Sequence, residues 1–180
     1  MNIFSQDLNL PVPFLHQNFD CKKIFIAHSI VNTETTLDKS TLDFFRDYGI
    51  NITSVELFYR RPHPKYGIVH VDNVGYSDRL NLNYVVGGED SVMSWFKPLK
   101  EGYTTTGDTG ATPMRYHFED VELIHSAEIK QPSMIQSAVP HAILNQKKPR
   151  WCICANIRDI KTRDVITMQD GIDRLKEYLL

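Results

Sequence analysis

In the segment GIVHVDN an imidazole, His70, and a carboxylate, Asp72, stand two positions apart. On an extended strand successive side chains alternate faces, so His70 and Asp72 project together while Val69 and Val71 point the other way. An imidazole and a carboxylate so placed form two adjacent corners of a metal site, and a third ligand must come from a neighbouring strand. His141, which closes the β-like run SMIQSAVPH, is the best candidate. Two histidines and one carboxylate on one face of a metal leave three positions open, the arrangement that suits a non-haem Fe(II) oxygenase. Nine residues after His141, Arg150 opens the run RWCICANI and shares a strand face with Cys152, Cys154 and Asn156. One guanidinium among small side chains can grip the far end of a dicarboxylate through paired hydrogen bonds. The near end of such a ligand, a 2-oxo acid, would chelate iron at two open positions and leave the last for O2.

These residues need a β framework, and the chain supplies one. After a Pro-interrupted stretch over 1–20, the run CKKIFIAHSI reads as a strand centred on Ile24, Phe25 and Ile26. A helix near 37–48 follows, capped by Thr36 or Asp38, with Leu37, Thr41, Phe45 and Tyr48 on one face and Gly49 at its stop. From Ile50 the pattern turns to β: NITSVELFYR, GIVHVDN, LNLNYVV, SVMSWF, RYHFEDVELIHSAEI, SMIQSAV and RWCICANI are short runs rich in β-branched and aromatic residues. Turn-prone segments separate them, and no helices intervene, which predicts an all-β sandwich or barrel. A second helix near 168–180 is capped by Thr167, with Met168, Ile172, Leu175 and Leu179 as its apolar stripe.

HVDN, then a histidine after Pro140, then an arginine nine positions later resembles the 2-oxoglutarate/Fe(II)-dependent dioxygenase superfamily. The nearest flavour is its small prolyl-hydroxylase-like or phage-type members with the order H-x-D…H…R. The resemblance covers roughly 51–157, with weaker companions in LNLNYVV and SWF. It implies a mainly β fold, the double-stranded β-helix or cupin-like jelly roll, as a single domain over 1–180. It also implies Fe(II) held by His70, Asp72 and His141, 2-oxoglutarate as cosubstrate with its C5 carboxylate on Arg150, and O2 as oxidant. Members use a Tyr, Thr or Asn on neighbouring strands to hold the cosubstrate, and Tyr59 and Asn83 are the corresponding nominees here. The implied activity is a hydroxylase acting on a peptidyl or free amino-acid side chain or a small metabolite, its site mouth built by 60–67, 97–113 and 142–149.

Composition narrows the alternatives. A formal charge of −2, with 42% hydrophobic and 23% charged residues, describes an ordinary globular chain and argues against nucleic acid as partner. No run approaches 18 apolar residues and no basic-then-apolar leader opens the chain, so no membrane span or signal peptide is expected. Three cysteines make no even disulfide framework, which points to a reducing cytoplasm. Cys152 and Cys154 read as inert thiols, and Trp95 and Phe96 as packing. His63 reads as a loop residue near the site mouth, His117 and His125 as ordinary strand histidines. Asn73 either orients a ligand or turns the chain, and YTTTGDTGATP reads as a lid. Two other functional classes fit the same pattern: a non-catalytic jelly-roll binding or structural protein, and a metal-dependent cupin that does not use 2-oxoglutarate.

Overall fold

The computed structural model describes residues 3–72, 78–105 and 112–180. Asn73 and most of the lid segment lie outside the described residues. Strands β1 (Ser5–Asp7) and β2 (His28–Val31) precede helices α1 (Thr33–Thr36) and α2 (Lys39–Asp47). Then come β3 (Ile50–Arg60), β4 (Val69–Val71), β5 (Leu80–Gly87), β6 (Val92–Pro98), β7 (Tyr103–Thr104) and β8 (Met114–Tyr116). β9 (Val121–Ala127), β10 (Ser133–Gln136), β11 (His141–Leu144), β12 (Arg150–Asp159) and α3 (Met168–Leu175) complete the order.

The strands form two six-stranded sheets, β1-β10-β5-β12-β3-β2 and β7-β8-β4-β11-β6-β9. The chain passes back and forth between them: β3, β5, β10 and β12 lie in the first, β4, β6 and β11 in the second. Pairing is antiparallel, with β3 on β12, β12 on β5, β5 on β10, and β4 on β11, β11 on β6. That alternation is a double-stranded β-helix, the cupin-like jelly roll.

The larger apolar cluster sits on the outer face of the first sheet. Leu57, Leu82, Ile153 and Ala155 pack there with Phe45 of α2 and Ile172 and Leu175 of α3. Each such Leu, Ile or Phe side chain, fully buried, contributes about 1.5–3 kcal/mol. α3 sits so close that a Cβ at Gly171 would lie 2.3 Å from Leu80 Cδ2. Between the sheets the apolar cluster is smaller (Val85, Met93, Trp95, Ile129, Ile135 and Cys152), and polar side chains take over beside it.

Several local expectations are corrected. Phe25 and Ile26 are not strand residues: each is 61% exposed, and a 3-10 turn over Cys21–Lys23 precedes a strand that begins only at His28. The Phe25 ring packs on Tyr59 and Trp151 instead of joining a sheet. Residues 1–20 are not wholly irregular, because β1 pairs with β10. Leu37 belongs to the end of α1, and the helix expected near 37–48 is α2, capped by Asp38, which accepts from the Ser40 amide. Gly49 (φ +72°) follows it, the left-handed stop. The second helix runs α-helical to Leu175 and continues as a 3-10 turn over Lys176–Tyr178. RYHFEDVELIHSAEI divides into β8, a 3-10 turn and β9, since Phe118–Asp120 breaks the ladder. His141 does not end the run SMIQSAVPH: β10 stops at Gln136 and His141 opens β11 in the other sheet.

Candidate metal centre

β4 and β11 are antiparallel neighbours in a register that sets His141 directly opposite His70. Asp72 follows β4 on the face of His70. The ligand-type atoms of His70, Asp72 and His141 all lie within 4.8 Å of one another. Asp72 Oδ1 is 3.3 Å from His70 Nε2 and 3.5 Å from His141 Nε2.

Both rings are aimed by main-chain carbonyls. His70 Nδ1 lies 2.9 Å from the Ile68 oxygen, and His141 Nδ1 lies 2.9 Å from the Val139 oxygen. A carbonyl only accepts, so Nδ1–H is the donor in each case and the Nε2 lone pair is directed at the shared centre in the neutral ring. Hydrogen bonding of this kind fixes the tautomer and orientation of a metal-binding histidine. Burial opposes charge on Asp72, but the charge and hydrogen bonds of His141 and His70 outweigh it and hold the carboxyl well below the usual range. Burial lowers the His70 pKa, yet Asp72 and the Ile68 carbonyl carry it above its ordinary value against the opposing charge of Arg115. The cluster thus offers one ionised carboxylate and two oriented imidazoles, a donor set that fits Fe(II), Mn(II) or another divalent transition ion.

The three residues line a cavity of about 230 Å³ between the sheets, together with Arg60, Asn81, Asn83, Met93, Ile143, Arg150 and Cys152. Arg150 is 5% exposed, and its Nε has no hydrogen-bond partner among the described residues. Leaving such a group buried and unmatched costs about 1–3 kcal/mol or more, so an anion on Arg150 fits the site. Asn83 lies opposite Cys154 on β12, is buried, and leaves its Oδ1 unpartnered. Asn81 Nδ2 lies 3.5 Å from Asp72 Oδ2, a long contact that orients the carboxylate weakly. Burial pushes the thiols of Cys152 and Cys154 up, so both remain protonated lining groups.

Tyr59 is placed differently from Asn83. It is the partner of Trp151 across β3–β12, and its ring packs 5.2 Å from Trp151 and 5.3 Å from Phe25, on the opposite face from Arg60. It also lines the cavity, while its ring packs with the outer-face apolar cluster. His63 is exposed and receives the Lys65 amide, and His125 stacks on Phe4. One residue lining the site stands in the sequence only as the first of the mouth segment 60–67. Arg60 ends β3 and lines the cavity. His28, on β2, does not line the cavity: it pairs with Glu56 at 2.7 Å and stacks on Phe58, which does. Alternation along ELFYR does place Glu56, Phe58 and Arg60 on one face. Nothing local says that this face is the inner one.

No family model matches the chain, and no curated protein matches it. Among solved structures it is similar to pumpkin seed globulin, with TM-score 0.34 and 13% identity over 93% of this chain and 35% of that one. It is also similar to procruciferin, the 11S globulin from Brassica napus, with TM-score 0.33 and 12% identity over 94% of this chain and 37% of that one. The chain spans about a third of the length of those proteins. No helix among the described residues is long and apolar enough to cross a membrane.

Proposed function

We propose that the protein is an Fe(II)- and 2-oxoglutarate-dependent oxygenase that hydroxylates an amino-acid side chain, peptidyl or free, or a small metabolite. The observation that carries this reading is the buried Arg150, its Nε without a hydrogen-bond partner among the described residues, in the same cavity as His70, Asp72 and His141. A metal-binding cupin of other chemistry has no need of that arginine, and a scaffold has no need of either.

His70, Asp72 and His141 would hold the iron, and Arg150, with Asn83, would hold the cosubstrate. Iron and 2-oxoglutarate together supply oxidation by O2: the 2-oxo acid is split to succinate and CO2, one oxygen atom entering succinate and the other a substrate C–H bond. The chain's own contribution is positioning. The Ile68 and Val139 carbonyls keep both imidazoles oriented, Asp72 stays ionised, and Arg150 supplies charge-assisted hydrogen bonds to the far carboxylate. Met93, Ile135 and Ile143 form an apolar wall that limits water around the reacting centre.

The test needs no knowledge of the substrate. Protein mixed anaerobically with Fe(II) and 2-oxoglutarate is expected to show a weak visible charge-transfer band. The band should vanish in His141→Ala and require more 2-oxoglutarate in Arg150→Ala. Succinate release then screens peptides and amino acids. Folded protein that gives no band at saturating reagents rules out this function and leaves a binding module or a cupin of other chemistry.

A further inference from the structure

Arg60 and Arg150 face each other. They are Cα partners across β3–β12, so both side chains leave the same face of the first sheet, and both line the cavity. Like charges directly opposed on paired strands repel. Acidic partners do not relieve the repulsion: neither arginine forms an ion pair with a described residue, and Asp72 is the one carboxylate among the described residues lining the cavity. Arg150 is buried with its Nε unmatched.

Arg60 is held in this position by its surroundings. Its guanidinium crosses to the segment leading into β4, where it lies against the backbone of Gly67. A Cβ at Gly67 would stand 2.3 Å from Arg60 Nη2 and 2.4 Å from Nη1. Gly67 is tied in turn to Ile143, its amide donating to that carbonyl at 2.9 Å. On the Arg150 side, a Cβ at Gly88 would come within 2.7 Å of the Arg150 Cβ. Glycine thus makes room for each arginine. Burial, and then the charge of Arg150, push the Arg60 pKa down, as expected for a cation lacking its counter-ion.

The pair sits at a different level of the cavity from the histidines. Asn81, beside Asp72, is opposite Asn156 on β12, whereas Arg60 is opposite Arg150 at the start of that strand. An anion between the two guanidiniums would therefore be the far end of a ligand whose near end reaches the His-Asp-His group.

We propose that Arg60 and Arg150 form a two-guanidinium clamp for a terminal carboxylate, with Arg60 as the residue that restricts the cavity to dicarboxylates. That the dicarboxylate is a 2-oxo acid rests on the function proposed above. The clamp itself does not.

Metal-free protein, treated with EDTA, is titrated calorimetrically with glutarate, and the Mn(II)-loaded protein with 2-oxoglutarate and 2-oxovalerate. The last has the same five-carbon chain without the far carboxylate. Arg60→Gln is expected to weaken glutarate and 2-oxoglutarate about ten- to a hundredfold, the loss of charge-assisted hydrogen bonds to one carboxylate. It should leave 2-oxovalerate within about twofold of the parent. Parent-like glutarate affinity in folded Arg60→Gln overturns the clamp. Should Arg60→Gln fail to fold, Arg60→Lys decides in its place: weaker glutarate binding, from loss of the planar fork, supports the clamp and unchanged binding overturns it. The two proposals fail separately. Glutarate binding that depends on both arginines, with no gain for 2-oxoglutarate in the presence of metal, leaves the clamp and removes the oxygenase. Tight metal-dependent 2-oxoglutarate binding indifferent to Arg60 does the reverse.

Discussion

Gly67→Ala alters the arginine pair without changing any charge. The added Cβ would lie 2.3–2.7 Å from the Nη2, Nη1 and Cζ atoms of Arg60, where ordinary contact begins near 3.4 Å. The guanidinium must therefore retreat by about 1.1 Å from its seat. Such a displacement takes a hydrogen bond of normal length beyond its useful range, so the clamp loses a contribution of about 1.5–3 kcal/mol. The folding cost is small by comparison. The atoms in the way are the end of a flexible side chain, and Gly67 is not among the positive-φ glycines. Alanine at a compatible backbone position even contributes about 0.4–1 kcal/mol through the unfolded state. We expect dicarboxylate Kd to rise about tenfold or more by calorimetry, with Tm within a few degrees of the parent. Parent-like dicarboxylate affinity would show that Arg60 does not act on the ligand. A collapse in Tm would show that the contact with Gly67 holds the fold and not the ligand.

Other consequences follow from the same contacts. Mn(II) or Fe(II) at a hundred times its Kd should stabilise the parent by about 2.7 kcal/mol in thermal melts. Asp72→Asn combined with His141→Ala should abolish that gain, and its persistence would place the metal elsewhere. Ile153 is fully buried between Leu57 of β3 and Tyr84 of β5, so Ile153→Ala should cost about 2–5 kcal/mol in urea unfolding; a loss under about 1 kcal/mol would contradict the packing. Asp159 accepts from the Thr162 and Lys161 amides at 2.8 Å each and from Arg174 at 2.6 Å, which holds its carboxyl well below the usual range. A depressed folded pKa contributes stability that is complete above the unfolded value of about 3.9 and fades as pH falls toward the folded one. Asp159→Asn should therefore melt below the parent at pH 7, with the gap narrowing in strong acid, and a gap independent of pH would refute the assignment.

What was legible in the sequence was local and periodic. Alternation over two residues places His70 beside Asp72, and Arg150 with Cys152 and Cys154, in any strand that contains them, because extended backbone turns successive side chains to opposite faces. The change from helical spacing to short β-branched runs at Ile50 likewise carried the mainly β class, and Asp38 and Thr167 cap their helices through hydrogen bonds made within a few residues. An apolar run does not by itself reveal its partners. Phe25 makes ring contacts with Tyr59 and Trp151, and Ile26 stays exposed, instead of either joining a strand. Tyr59 and Arg60 are adjacent in sequence, yet one packs outward on Trp151 and the other enters the cavity, and only the register of β3 on β12 decides which. The same holds for His141, brought opposite His70 by a pairing between strands far apart in the chain. Residue type and alternation determine which side chains can act together along one strand. Which strands become neighbours depends on burying the apolar faces of both sheets at once, and that global packing alone set Arg60 against Arg150.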